Sequence, residues 1–341
     1  MAQRRGGLDG RSLSPMPEFD LIRRLQEAIC APEAGYRPQC ILGIGDDAAV
    51  LEPPPGRQLV VCTDSLVEGV HFPRLTPAAA VGHKALAVNL SDLAAMGAEP
   101  AWFFLALTLP EARPAWLEAF AQGMAQLAKT SGAFLSGGDV TSGPLNICIT
   151  ALGLVETGQA MTRSGARPGD LVVISGRPGA AAHALAVLQA GGTPPDADRA
   201  ALDFPVPRLR LGRQLRGLAT SCIDVSDGLL ADLGHILDAS GVGAELALRN
   251  LPCPPGMVAM PETDRWSLQL SGGDDYELCF TLPADLGVRL PELSQTGGVE
   301  LTVIGVITEQ RGLLVRAPDG SLFQPSHSGY EHFRDPGVRE P

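Results

Sequence analysis

Residues 41–51 read ILGIGDDAAVL and set two adjacent carboxylates, Asp46 and Asp47, inside an otherwise apolar run whose pattern asks for a buried strand. Mutual repulsion and desolvation both oppose that placement. The chain must turn the pair out to solvent or fold so that positive charge meets it. The same setting recurs along the sequence. Small or apolar residues lead into Asp64 in CTDS, Asp92 in NLSD, Asp139 in SGGD, Asp224 and Asp227 in IDVSD, and Asp274 and Asp275 in SGGDD. Each is expected at a strand end or helix start. One such carboxylate is an ordinary turn or cap, but the set points to hard-cation binding, because Mg2+ takes carboxylate oxygens and bridges them to phosphates.

The length of 341 residues allows two domains or one large one. With 45% hydrophobic and 19% charged residues, the composition is that of a soluble globular enzyme rather than a disordered chain. A net charge of −12 argues against nonspecific nucleic-acid binding, which needs a basic surface. It leaves anionic substrates open, since a bound cation inverts the local field. The seven cysteines are scattered without a CxxC spacing, which fits reduced thiols and a cytoplasmic location. No run approaches the roughly 18 apolar residues of a membrane span. Residues 1–16 lack the apolar segment of a secretory signal and read as a disordered tail.

A helix is expected from Pro17, then the strand-like CILGIGDDAAVL, a turn at EPPPG and a returning strand RQLVVCTDSLVEGVHF. TPAAAVGHKALAVNLSDLAAMG reads as a helix with Thr76 as N-cap and Pro77 at its first position. AWFFLALTLP, FLSGGDV and LNICITALGLVE read as strands, and RPAWLEAFAQGMAQLAKTSG as an amphipathic helix ended by Gly132. The mixture indicates an α+β class rather than a purely parallel sheet. Turn residues in TRSGARPGDLVVISG open a second domain. The expected division is 17–160 and 161–335, with a Pro-rich excursion at 191–207 and a terminal hairpin in LTVIGVITEQRGLLVRAPDG. NLSD at 89–92 and LSGGD at 135–139 echo DVSD at 224–227 and LSGGD at 270–274, both offset by 135 residues (224 − 89 and 270 − 135), as if one local device were used in two similar domains.

Familiar phosphate loops fail. GMAQLAKT (123–130) nearly spells a P-loop, but Ala128 replaces the second glycine and the stretch lies in a helical pattern. GIGDDA (43–48) fits a loose dinucleotide fingerprint, yet Pro53, Pro54 and Pro55 forbid the helix that must follow, and two carboxylates would face the pyrophosphate. There is no GxSxG or HExxH, and a lone histidine such as His71 in GVHF is more often structural than functional.

In order, GIGDDAAV, TDSLVEGVHF, KALAVNLSDLAAMGAEP, GGDVTSGP, TRSGARPGD, IDVSDGLLADLGHI and SGGDDYELCF resemble the motifs of the thiamine-monophosphate kinase family, within the superfamily of aminoimidazole-ribotide synthase and selenophosphate synthetase. The resemblance spans about residues 17–335. It implies a two-domain α+β subunit that dimerises through its N-terminal sheets. It also implies ATP- and Mg2+-dependent phosphorylation of thiamine monophosphate to the diphosphate, the last step in forming that cofactor. By motif it places magnesium on Asp47, Thr63, Asp64, Asp92, Asp139, Asp224 and Asp227, and ATP on Gly138, Asp139, Arg163 and Ser226. It places thiamine monophosphate on His71, Asp274 and Tyr330. Cys62 stands where serine is commoner, and Asp274 stands where glutamate is. With only two lysines, Lys84 and Lys129, divalent metal is the natural screen between two phosphates. A sister ATP-dependent synthetase or a non-catalytic nucleotide- or thiamine-phosphate-binding protein would share parts of this pattern.

Overall fold

A strand that alternates inward and outward side chains needs a cover on one face, whereas a strand or helix that is apolar all round must be buried on every side. Both kinds occur here. The computed structural model describes residues 18–29, 40–325 and 329–330, so residues 1–16 lie outside it. In chain order the elements are α1 (Glu18–Ile29), β1 (Cys40–Leu42), β2 (Val50–Leu51), β3 (Arg57–Val67), α2 (Ala78–Ala95), β4 (Glu99–Leu109), α3 (Pro114–Ser131), β5 (Phe134–Ser142) and β6 (Asn146–Glu156). They continue with β7 (Leu171–Ser175), α4 (Ala180–Gln189), α5 (Asp196–Asp203), α6 (Leu209–Leu215), β8 (Ser221–Val225), α7 (Leu229–Ser240), β9 (Gly243–Ala247), α8 (Glu262–Ser271), β10 (Glu277–Leu282), α9 (Leu290–Gly297), β11 (Leu301–Thr308) and β12 (Gly312–Arg316).

The first lobe is a four-stranded sheet in the order β3-β6-β4-β5, antiparallel except between β4 and β5. The second is a six-stranded sheet in the order β12-β9-β11-β7-β10-β8, antiparallel except between β9 and β12. Helix α2 lies between them. Its sequence, AAAVGHKALAVNLSDLAA, is apolar around most of its circumference, and fourteen of its residues are buried. Leu86, Leu90 and Leu93 join the first lobe's core, and Ala94 and Ala95 pack with Leu211, Cys222 and Phe280 of the second. Arg216 ties the lobes at the rim, pairing with Glu156 and, at 3.6 Å, with Glu99.

Glycine lets α2 and α3 cross closely. A Cβ on Gly123 would stand 1.9 Å from the Ala79 carbonyl oxygen, and one on Gly82 would stand 2.0 Å from that of Phe120. The glycine of the P-loop-like GMAQLAKT is thus a helix-packing glycine.

Several local expectations are corrected. Residues 40–51 form only the short β1/β2 pair, with Asp46 and Asp47 exposed at the turn between them. The strand after EPPPG does not return onto that pair; β3 joins β6 instead. Thr76 does not cap α2: the carbonyl of Pro77 accepts the first helical bond, from Val81 N–H at 3.0 Å, and no side chain caps that end. β11 and β12 are not a hairpin, because β9 separates them. The 135-residue echo is not structural. NLSD ends a helix while DVSD ends a strand, and SGGD lies in β5 once but after α8 the second time. Alanine and leucine around NLSD favour helix, so the shared tetrad does not decide the local fold.

Candidate functional site at the junction of the lobes

β3 alternates. Val60, Cys62, Asp64 and Leu66 turn toward α2, while Leu59, Val61, Thr63 and Ser65 face away. Asp64 therefore meets the helix that carries Asp92. Asn89, fully buried one turn earlier on α2, accepts the Asp64 N–H at 3.1 Å through its side-chain oxygen. It also donates to the Ala85 carbonyl at 3.1 Å, so its amide is fixed from both ends. From the other lobe, β8 delivers Asp224 at its C-terminal half and Asp227 in the turn that follows. Asp232, one turn into α7, accepts the N–H groups of Ser226, Asp227 and Gly228 at 3.0, 3.1 and 3.2 Å, which holds that turn rigid.

The result is a concentration of like charge. Burial, then the charges of Asp224 and Asp64, push the Asp92 carboxyl up to about 8, partly offset by Cys62 and Arg163. Burial pushes Asp224 up to about 6, with the Ser91 hydroxyl drawing it back, Asp64 raising it and Arg163 lowering it. Burial also raises Asp64, while a hydrogen bond shared with Asp92 and the nearby His71 lower it. Burial raises Asp232 to about 7, with Asp224 adding to the shift. Asp64 and Asp92 thus meet where burial and mutual repulsion disfavour two negative charges, and where a cation would relieve both.

The structure brings together Asp64, Asp92, Asp224, Asp227, His71 and Arg163. Asp139, on the exposed part of β5, and Asp47, in the exposed β1–β2 turn, lie outside that cluster. The segment bearing Asp47 is seated near β5, with a Cβ on Gly43 reaching 3.8 Å from the Ser136 carbonyl. Gly138 presses on β4: a Cβ there would meet the Leu105 carbonyl at 2.0 Å. The Thr63 hydroxyl points to the opposite face of the sheet, bonded to Thr150 at 2.9 Å, so only its main chain faces the junction. Cys62 lies beside Asp92 as a neutral thiol, its pKa raised first by burial. Tyr330 is half exposed and anchored by its N–H to the Asp227 carbonyl at 2.9 Å. Asp274 lies at the same junction with φ 69°, its N–H on the Ser226 carbonyl at 2.9 Å.

Among the described residues, no three His, Cys, Asp or Glu side chains close around one metal position. The donor chemistry nevertheless fits a hard divalent cation: mutually repelling carboxylate oxygens from two lobes, raised by burial and by each other. Asn89 and Asp232 carry this geometry and were not singled out in the sequence. Both lie inside quoted motifs, KALAVNLSDLAAMGAEP and IDVSDGLLADLGHI, three and five residues from Asp92 and Asp227.

The two lobes define the class. Residues 45–155 match AIR synthase related protein, N-terminal domain, and residues 167–317 match AIR synthase related protein, C-terminal domain. Within that class the chain belongs to the thiamine-monophosphate kinase family. It is 44% identical over 334 residues to thiamine-monophosphate kinase of Escherichia coli (strain K12), covering 94% of this chain and 99% of the relative. The crystal structure of thiamine-monophosphate kinase from Stenotrophomonas maltophilia K279a is 45% identical, with a TM-score of 0.81 over 89% of this chain and 97% of that one. A structure described as AaThiL complexed with AMPPCP and TMP is 29% identical, with a TM-score of 0.71 over 93% and 97%.

Proposed function

We propose that this chain transfers the γ-phosphoryl group of ATP to the phosphate of thiamine monophosphate, giving thiamine diphosphate and ADP. The observation that carries this reading is the meeting of Asp64 and Asp92 from one lobe with Asp224 and Asp227 from the other, in a chain 44% identical over nearly its whole length to a thiamine-monophosphate kinase. An oxygen of the acceptor phosphate forms the new bond to the γ-phosphorus as the bond to the β-phosphate's bridging oxygen breaks, and ADP leaves. The acceptor is a phosphomonoester with a second pKa near 6, so it is mostly dianionic at neutral pH and needs no general base. That agrees with a junction that offers carboxylates and a histidine ring nitrogen already occupied: His71 Nδ1 accepts the Val67 N–H at 2.9 Å.

The obstacle is charge, since a dianion must approach a polyphosphate. Asp47, Asp64, Asp92, Asp139, Asp224 and Asp227, with the main chain of Thr63, would hold Mg2+, which neutralises the meeting phosphates. Arg163 adds a fixed cation near Asp92 and Asp224, and with Gly138, Asp139 and Ser226 it forms the ATP side. His71, Asp274 and Tyr330 form the acceptor side. The lobes divide near 160/161. Scattered thiols, six of them free among the described residues, fit a cytoplasmic enzyme. The outer face of the first sheet exposes Leu59 and Val61, and the adjoining β1–β2 pair exposes Ile41 and Val50. Such a face is covered by a second copy in the homodimer we propose.

ADP release measured with ATP and either thiamine monophosphate or thiamine tests this reading. Release that depends on the monophosphate and is absent with thiamine is expected. ADP formed at the same rate without either acceptor contradicts it and favours a sister synthetase.

A further inference from the structure

Among the described residues, Lys84 is the largest charged side chain sealed from solvent, at 1% exposure, on the same helix that carries Asn89 and Asp92. An ammonium there is costly unless it is paired and hydrogen-bonded. Its Nζ lies 2.9 Å from Asp274 Oδ2 and 3.3 Å from the main-chain carbonyl oxygen of His71. One partner belongs to the second lobe and the other to the loop that follows β3 in the first. The other Asp274 oxygen accepts the Tyr276 hydroxyl at 2.9 Å. Tyr276 is itself buried in the first lobe's core, though the strand it precedes belongs to the second. Both Asp274 and Tyr276 hold positive φ, 69° and 51°, which non-glycine residues adopt only when the surroundings impose it. Tyr276 N–H on the Val225 carbonyl at 2.7 Å and Asp274 N–H on the Ser226 carbonyl fix that backbone.

From this geometry we infer that Lys84 is a positioning residue that locks the two halves of the acceptor site together, by holding the His71 backbone and the Asp274 carboxylate on one buried ammonium. The inference rests on the acceptor assignment of His71 and Asp274 above and adds a residue that the assignment does not contain. Two consequences follow. The Asp274 carboxylate is aimed by donors on both oxygens, so its direction is set before substrate arrives. Its charge is also matched by the lysine, so it does not confront an acceptor that is itself a dianion with an uncompensated negative charge. The lysine touches neither phosphate; it acts through Asp274 and the loop at His71.

Steady-state kinetics on the full chain separate this role from a merely structural one. Lys84→Met preserves length and apolar bulk while removing the charge. It is expected to raise KM for thiamine monophosphate at least about tenfold, the factor that loss of one charge-assisted bond corresponds to, with KM for ATP within about twofold. Asp274→Asn and Lys84→Met/Asp274→Asn complete the cycle: the double variant, which leaves no unpaired buried carboxylate, is expected to show an acceptor KM severalfold above that of Asp274→Asn alone, because the hold on His71 is missing. Unchanged KM for the acceptor in Lys84→Met, or equal rises for both substrates, overturns the inference. Should Lys84→Met fail to fold, the double variant against Asp274→Asn decides: acceptor KM values within about twofold of each other overturn it. Absence of acceptor-dependent turnover in the wild type would instead defeat the acceptor assignment itself, an outcome distinct from all of these.

Discussion

Asp92 occupies the last turn of α2, where the helix dipole already disfavours an anion, and Asp64 and Asp224 raise its carboxyl further. Asp64, Asp92 and Asp224 all bind a proton more tightly folded than unfolded. Their contribution to stability is therefore complete below the ordinary carboxylate value of about 4 and is lost as pH rises through about 6 to about 8. Metal-free protein is expected to lose several degrees of Tm between pH 5 and 8.5 by calorimetry, with a shallower slope in Asp92→Asn. A Tm that is flat or rises over that range contradicts the cluster. Asp47→Asn is expected to lower turnover by on the order of 10²–10³-fold or more with an unchanged circular dichroism spectrum; near-normal activity removes Asp47 from the metal set. At this scale the sequence shows which residue types matter, because the chemistry demands carboxylates in places where packing alone would refuse them. It does not show direction: Thr63 neighbours Asp64 in the chain but faces the other side of the sheet, and Lys84 reads as one more helix residue.

Helix α2 organises the elements, since one of its faces packs on each lobe while its C-terminal end carries Asp92. Its crossing with α3 depends on glycine. Gly123→Ala is expected to destabilise the protein by about 1–3 kcal/mol, because the added carbon must push α3 away from the Ala79 carbonyl. Urea unfolding measures this, and a loss below about 0.5 kcal/mol would show that the crossing relaxes freely. Such helices were legible from composition and caps, as Gly132 at the end of α3 shows with its φ of 79°. Strand pairing was less legible. β11 and β12 are adjacent in sequence and separated by a short turn, yet β9 lies between them, pairing antiparallel with one and parallel with the other. Alternation fixes which face of a strand is buried but carries no information about a partner brought from far along the chain, as β9 is to β11 and β12. The 135-residue echo misled for a related reason: four residues do not outvote their flanks.

At the scale of the whole molecule, the lobes enclose carboxylates from both sheets, so neither lobe holds the site alone. The exposed face of β3 also leaves the subunit with an uncovered apolar surface. Val61→Asp, on that face and 57% exposed, is expected to shift sedimentation from dimer to monomer while leaving the isolated fold unharmed; a wild-type protein that sediments as a monomer contradicts the pairing. The presence of two lobes was legible from the turn residues ahead of β7. Their mutual packing was not, because it depends on how α2 is shared. The central claim is that the acidic junction becomes a phosphoryl-transfer site when divalent metal offsets its charge. Phosphorus NMR of the protein with ATP, thiamine monophosphate and Mg2+, run with and without EDTA, tests it directly. The account predicts thiamine diphosphate and ADP appearing together with Mg2+ and neither with EDTA; ATP consumed without thiamine diphosphate, or turnover indifferent to EDTA, would contradict it.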